Sequence, residues 1–221
     1  MATTASERVL TRQGRDRRAE LLEHAERLLL ERGVGGTRMV DIADAAGVAK
    51  GLVYWYFESK DALLLAIVLD VRERLRATQV AATESIDEPL DRLYVGTEVS
   101  VRFIDEHWNL YHLIQTQIAD ARYGDLLGES SHVHALDTVE VVGAGQAHGS
   151  IRADEDPLVI AHTNQGVVNH FSLALRRGHL PDVETAAHAA ARVVVRAAAA
   201  TPRHADATLD RRSPNRRTET D

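Results

Sequence analysis

The segment Thr37–Lys60, TRMVDIADAAGVAKGLVYWYFESK, leaves few folds open. It holds two helical runs, each too short to be stable alone, joined at Gly47. Ile42, Ala43 and Ala46 face inward, and the small alanines let two helices approach closely. Gly47 suits a left-handed turn, Val48 plugs that turn, and Val53 and Phe57 hold the second run against a helix upstream. Two short helices around a tight glycine turn are a helix-turn-helix. This layout leaves Ala49, Lys50, Gly51, Tyr54 and Trp55 on or near the outer face. Tyr54, Trp55, Tyr56 and Phe57 cannot all reach one core, because neighbours on a helix point about 100° apart. Aromatic residues make up only 5% of the chain, so the cluster needs a cause. The N-terminal end of such a second helix is the part that enters a DNA major groove.

The flanking sequence is helical too. Leu21, Leu22, Ala25, Leu28 and Leu29 recur at three- and four-residue steps, and Gly33, Gly35 and Gly36 end that helix. Thr37 is placed to cap the next helix and Ser59 the helix that runs to about Ala82. Pro89 opens another. Further helices are expected over about 107–121, 126–143, 157–177 and 183–200. No segment alternates with a period of two, so the fold class is all-α. The expected organisation is a flexible arm (1–14), a three-helix helix-turn-helix domain (15–60), a helical ligand-binding and dimerisation domain (61–202) and a polar disordered tail (203–221).

The net charge of −7 argues against DNA until its distribution is read. Residues 1–60 carry a net +1, residues 61–202 a net −9, and residues 203–221 a net +1. Both lysines of the chain, Lys50 and Lys60, fall within the helix-turn-helix stretch. Lys60 sits in the first turn after Ser59, where the helix dipole disfavours a cation. Asp61 offsets it on one reading; on the other, Lys60 and the free N–H groups of that turn hold a DNA phosphate. No cysteine is present, which excludes disulfides and thiolate metal sites and fits a reducing cytoplasm. No apolar run reaches the roughly 20 residues a bilayer span needs. The first 13 residues lack the apolar segment of a signal peptide.

Ile42-Ala43, Ala46-Gly47-Val48, Lys50-Gly51, Tyr54, Phe57 and Ser59-Lys60, behind an amphipathic helix ending in glycines, resemble the signature of the TetR family of transcriptional regulators. The resemblance covers about residues 15–70; beyond them only length and helical layout agree. It implies an all-helical homodimer that binds operator DNA and answers to a small-molecule effector. It implies base contact or close approach for Lys50 and Gly51, base or backbone contact for Tyr54 and Tyr56, and phosphate contact for Lys60, Thr37 and Arg38. Trp55 joins them from its outward position. Two departures stand out. Ala49 replaces a common serine or threonine and removes a hydroxyl donor, leaving contact with a thymine methyl. Leu52 replaces a common polar residue. Ala62 also replaces the acidic residue that would complete a capping box after Ser59.

In the C-terminal half, polar and aromatic residues interrupt apolar helix patterns at Trp108, Tyr111, His112, Gln115, His132, His162, Asn164, Asn169, His170 and Phe171. Each is either a satisfied core or interface residue or part of the lining of an effector pocket, and the set favours a largely apolar effector. Val159, Ile160, Val167, Val168, Leu173 and Leu175, with Val183, Ala186, Ala187, Ala190, Val193, Val194 and Ala197, read as faces of a two-fold interface or as packing within one chain. No cofactor is indicated. An enzyme reading finds no nucleophile elbow or phosphate loop; His132 and His134 have a spacing that diverges on a helix, against a metal site. Ala49 and Leu52 favour the other alternative, an interaction module of the same fold without DNA binding.

Overall fold

The computed structural model describes residues 11–118 and 124–213, with side chains at 118 and 124–134 left aside. The helices are α1 (Arg12–Gly36), α2 (Met39–Ala45), α3 (Lys50–Tyr56), α4 (Lys60–Thr83), α5 (Pro89–Glu106), α6 (Trp108–Ile118), α7 (Gly124–His148), α8 (Pro157–Arg176), α9 (Val183–Ala198) and α10 (Pro202–Arg212). Among the described residues no strand forms; one isolated antiparallel pairing, Ile151 with Ala199, ties the loop after α7 to the end of α9.

The head is built as its pattern predicts. Gly33 interrupts α1 at φ 70°, and Gly47 turns the chain between α2 and α3 at φ 65°, both left-handed conformations suited to glycine. Leu21, Leu29, Ile42 and Val53 are fully buried in one cluster with Phe57, Leu63 and Ile67. The Ser59 hydroxyl accepts the Ala62 N–H at 3.0 Å and starts α4. That helix runs without a break from the head into the C-terminal bundle. The head cluster also takes in Phe103, Leu110 and Ile114, so α6 packs on α1 and α5 on α4 beside it.

The C-terminal core lies around α5, which packs most closely on α9. Ala186, Ala187 and Ala190 have no exposed surface, and Val194, Ile160 and Val168 are also buried. The alanine-rich face expected between subunits therefore closes within one chain. Val159, Val193 and Ala197 remain outward. Glu98, buried on α5, pairs with His188 of α9 and with Arg102, which also bridges to Glu184 at 2.7 Å.

Two sequence expectations are corrected at the ends. Residues 12–14 of the expected arm are helical, because the Thr11 hydroxyl accepts the Gly14 N–H and begins α1 at Arg12. The segment after Pro202 is not wholly disordered. Thr201 caps α10, and Pro202 opens that helix instead of ending the previous one. Ala205, Thr208, Leu209 and Arg212 share one face at helical spacing, a pattern masked by the alternating Arg and Asp around them. Asp91 of α5 anchors that face. It accepts from the Thr208 hydroxyl at 2.7 Å, from Arg211 at 2.8 and 2.9 Å, and from Arg212 at 3.2 Å.

Burial alone pushes the Asp91 carboxyl up, but hydrogen bonds from Arg211 and Thr208 and the charges of Arg211 and Arg212 more than offset it. Its pKa is therefore lowered. A depressed carboxylate stabilises the fold above its unfolded pKa, about 3.9, and that contribution is lost as pH falls through the lower folded value. Asp91→Ala is expected to cost about 2–3 kcal/mol in urea unfolding at neutral pH, discounted for the half-exposed Arg211. The difference from wild type should shrink as the titration is taken below about pH 4. A second test is packing: the Cβ of Gly145→Ala would overlap the Ile151 side chain, whose Cγ1 lies 2.6 Å from that position. Its cost should be about 1–3 kcal/mol, read the same way.

Candidate nucleic-acid interface and effector cavity

The second helix of the helix-turn-helix, α3, presents its first turn to solvent. Ala49, Lys50 and Gly51 are exposed, and Tyr54 and Trp55 keep 41% and 48% of their surface. Lys50 Nζ lies 5.4 Å from the centre of the Tyr54 ring, an i,i+4 cation–π pair that aligns charge and ring on one outward face. Tyr56 is half-buried and meets Trp55 edge-on at 4.6 Å. The four aromatics thus divide as helix geometry requires: Phe57 in the core, Tyr56 at the border, Tyr54 and Trp55 outside. Leu52 is half-buried, which accounts for an apolar residue at a place where polar ones are common.

At the start of α2, Arg38 occupies the cap position in place of Thr37. The Asp41 carboxylate accepts the Arg38 N–H at 2.8 Å and the guanidinium at 2.7 and 3.1 Å. Those hydrogen bonds, side chain first and then backbone, hold the Asp41 carboxyl down at about 2. Three-quarters of the Arg38 side chain still faces solvent.

Two residues expected at phosphate are turned toward the end of α1. Thr37 is 1% exposed, and its hydroxyl donates to the carbonyls of Gly33 at 2.9 Å and Leu28 at 3.2 Å. It closes the end of α1, since a threonine next to a helix terminus satisfies carbonyls as readily as it caps a following helix. Lys60 is half-buried and its ammonium donates to the Val34 carbonyl. The cation at an unfavourable helix start is explained by the C-terminal end of α1 beside it, where a positive charge is favoured.

Between α4, α5, α6, α7 and α8 lies a cavity of about 90 Å³. Of the residues singled out in sequence, Tyr111, Gln115, Asn164 and Asn169 line it. The Tyr111 hydroxyl donates to Asn169 Oδ1 at 2.6 Å, and burial pushes the phenol up to about 12. Asn164 Oδ1 accepts from Thr97 at 2.9 Å. The others lie elsewhere. Trp108 stacks on His112 at 5.6 Å with Arg176 over its ring, on the outside of α6, and Phe171 packs beside Trp108 in a separate cluster. His162 and His170 are exposed on the outer face of α8. The side chains of His132 and His134 lie outside the described residues. Sequence reading missed Arg72, Gln79, Ser100, His107, Thr138 and Gln165 on the walls. Arg72 and Gln79 sit on a polar stripe of α4, turned inward by distant partners: Asp137 of α7 for Arg72, and Gly96 and Ser100 of α5 for Gln79. A second chamber of about 160 Å³ adjoins the first and shares Gln79, Thr138 and Asn164 with it. Gln79 braces the wall between them, donating to Ser100 Oγ at 2.9 Å.

The sequence profile of the bacterial regulatory proteins of the tetR family matches residues 21–67. ArpR of Pseudomonas putida, named as an HTH-type transcriptional regulator, is 31% identical over 178 residues, 79% of this chain and 75% of its own. The HTH-type transcriptional repressor KstR2 of Mycolicibacterium smegmatis is 25% identical over 147 residues, 65% of this chain and 72% of its own. In structure, a Saccharomonospora viridis chain crystallised with choline superposes with a TM-score of 0.64 at 20% identity, over 84% of this chain and 98% of that one. The head pattern, the shared helical fold and the extent of the ArpR match lead to one conclusion: the chain belongs to the TetR family of bacterial transcriptional regulators.

Proposed function

We propose that the chain is a cytoplasmic repressor that binds operator DNA as a two-fold dimer and leaves it when a small molecule enters the cavity between α4 and α8. Residues 15–60 act as the reading head, residues 61–202 as the effector and dimer unit, and α10 as an extension of that unit. The observation that carries this reading is the outward first turn of α3, with Lys50 and Tyr54 aligned and Ala49 and Gly51 leaving room for close approach to bases. Arg38 supplies a flanking cation for the phosphate backbone. Trp55 and Tyr56 complete the edge of that face. KstR2, a repressor by name, supports repression.

The cavity wall supports the effector role. Its residues come from the helix that carries the head and from helices of the bundle. A typical small-molecule pocket is about 300–1,000 Å³, well above the present volume, so an effector of ordinary size has to spread these helices. Any ligand that favours the spread state shifts the equilibrium only by its differential affinity. Because α4 passes unbroken into the head, that displacement reaches both reading helices of the dimer.

The dimer is assigned to the outer faces of α8 and α9. Val159 and Val193 are 51% and 45% exposed there, with Gly166 and Ala197 leaving room for a second pair of helices.

Anisotropy titration on fragments selected by sequencing of bound DNA tests the head. Lys50→Ala and Tyr54→Ala should each weaken binding about 5- to 100-fold and relax sequence preference. Arg38→Ala should weaken all sequences alike and lower the salt slope by about 1. Lys60→Met should leave the slope unchanged while lowering thermal stability, because its amine serves Val34; a lost unit of slope would return Lys60 to the phosphate. Light scattering tests the dimer. The wild type should run at twice the 24.3 kDa chain mass, and the double variant Val159→Arg, Val193→Arg as a monomer without measurable operator affinity.

A further inference from the structure

We propose that the effector is an amphipathic carboxylate whose head group takes the place of Asp137 between Arg72 and Arg76. This rests on the cavity being the effector site. Asp137 of α7 accepts from Arg72 Nη2 at 3.1 and 3.4 Å, and its other contact is Arg76 Nε at 3.3 Å. One carboxylate thus serves two guanidiniums of α4 at the border of the two chambers. The pair is only partly exposed, at 23% for Arg72 and 22% for Asp137.

Further donors nearby are unused. The Nε–H groups of Arg72 and Arg92 are buried and have no hydrogen-bond partner among the described residues. Arg72 lines the first chamber; Arg76 and Arg92 line the second with Asp137 and Glu140. Buried guanidinium donors left unpaired are costly, and an incoming anion would satisfy them. The described wall of the first chamber contains no Asp or Glu, so a cationic ligand finds no counter-charge there. Val71, Leu75, Phe103, Ile104 and Val168 make the remainder of that chamber apolar. The two parts together fit a planar, two-oxygen head on an apolar body. Asp137 already demonstrates that a carboxylate fits the fork.

The exchange has a mechanical result. Among the described residues Asp137 is the charged link between α4 and α7, and a ligand that replaces it cuts this link on the helix that carries the head. The two arginines keep a carboxylate partner throughout, so the ligand frees α4 from α7 without leaving a bare buried cation.

Isothermal titration of the full-length dimer with hexanoate, octanoate and decanoate, each against the alcohol and the ammonium of equal chain length, tests this. At least one carboxylate should saturate at one per chain, at least 10-fold tighter than its alcohol and ammonium. Arg72→Gln should lower that affinity at least 10-fold. Asp137→Asn, which removes the internal competitor but no cation, should raise it several-fold, an outcome that a purely structural Asp137 would not give. Should Arg72→Gln fail to fold, Asp137→Asn carries the test alone. If alcohol and ammonium bind as tightly as the acid, and the cavity-filling Ala135→Phe abolishes all three, the cavity stands and the carboxylate assignment is overturned. Acid binding that survives Ala135→Phe lies outside the cavity and also overturns it. Absence of saturable binding by every probe overturns both readings.

Discussion

The whole arrangement depends on α4 being buried twice. Its first half belongs to the core of the head through Leu63, Leu64, Ile67 and Val68. Its second half faces the cavity through Val71, Arg72, Leu75 and Gln79. A continuous hydrogen-bonded helix has no soft joint between these halves, and from Lys60 to Arg72 it spans about 18 Å. Any adjustment at the cavity wall is therefore delivered to the head as a rigid displacement. Arg74, on a third side, binds Glu26 of α1 at 3.1 Å, so the head is held to the same rod by charge as well as by packing.

Four polar side chains of the head, Lys60, Thr37, Arg38 and Lys50, divide by use. Lys60 and Thr37 close the end of α1, where backbone carbonyls need donors, and Arg38 is pinned by Asp41 while most of its length stays in water. Lys50, the other lysine, stays exposed beside Tyr54 on the outward face of α3. Residues 1–60 carry a net +1 against −9 over residues 61–202, so the positive charge of a chain with net −7 is kept toward the head.

Most of the head was legible in the sequence because its signals are local. Glycine at left-handed positions, small residues at the helix contact and a serine cap each act within a few residues, and Gly33, Gly47 and Ser59 do what their chemistry predicts. The misreadings came where a distant segment decides. Thr37 and Lys60 are drawn inward by carbonyls at Gly33 and Val34, which spacing alone does not reveal. The alanines of α9 were ambiguous between a partner subunit and α5, since small residues permit close packing of either kind. His162 and His170 have the periodicity of an inner face, yet α8 turns that stripe outward. Arg72 and Gln79 have the opposite history: polar residues on a long helix, brought indoors by α7 and α5 respectively. The domain limits remain a matter of function as well as structure, because α4 crosses the junction without a break.

The C-terminal latch on Asp91 sets an order of events in biosynthesis. Residues 11–118 contain every member of the first hydrophobic cluster, so the head can consolidate while the rest of the chain is still being made. Asp91 is different. Its hydrogen-bond donors are 117 to 121 residues further along, at Thr208, Arg211 and Arg212. Until the ribosome has delivered them, the carboxylate must stay hydrated, and the start of α5 lacks its seat for α10. The sensory half is thus completed only once residues 208–212 have been made, later than the half that meets DNA.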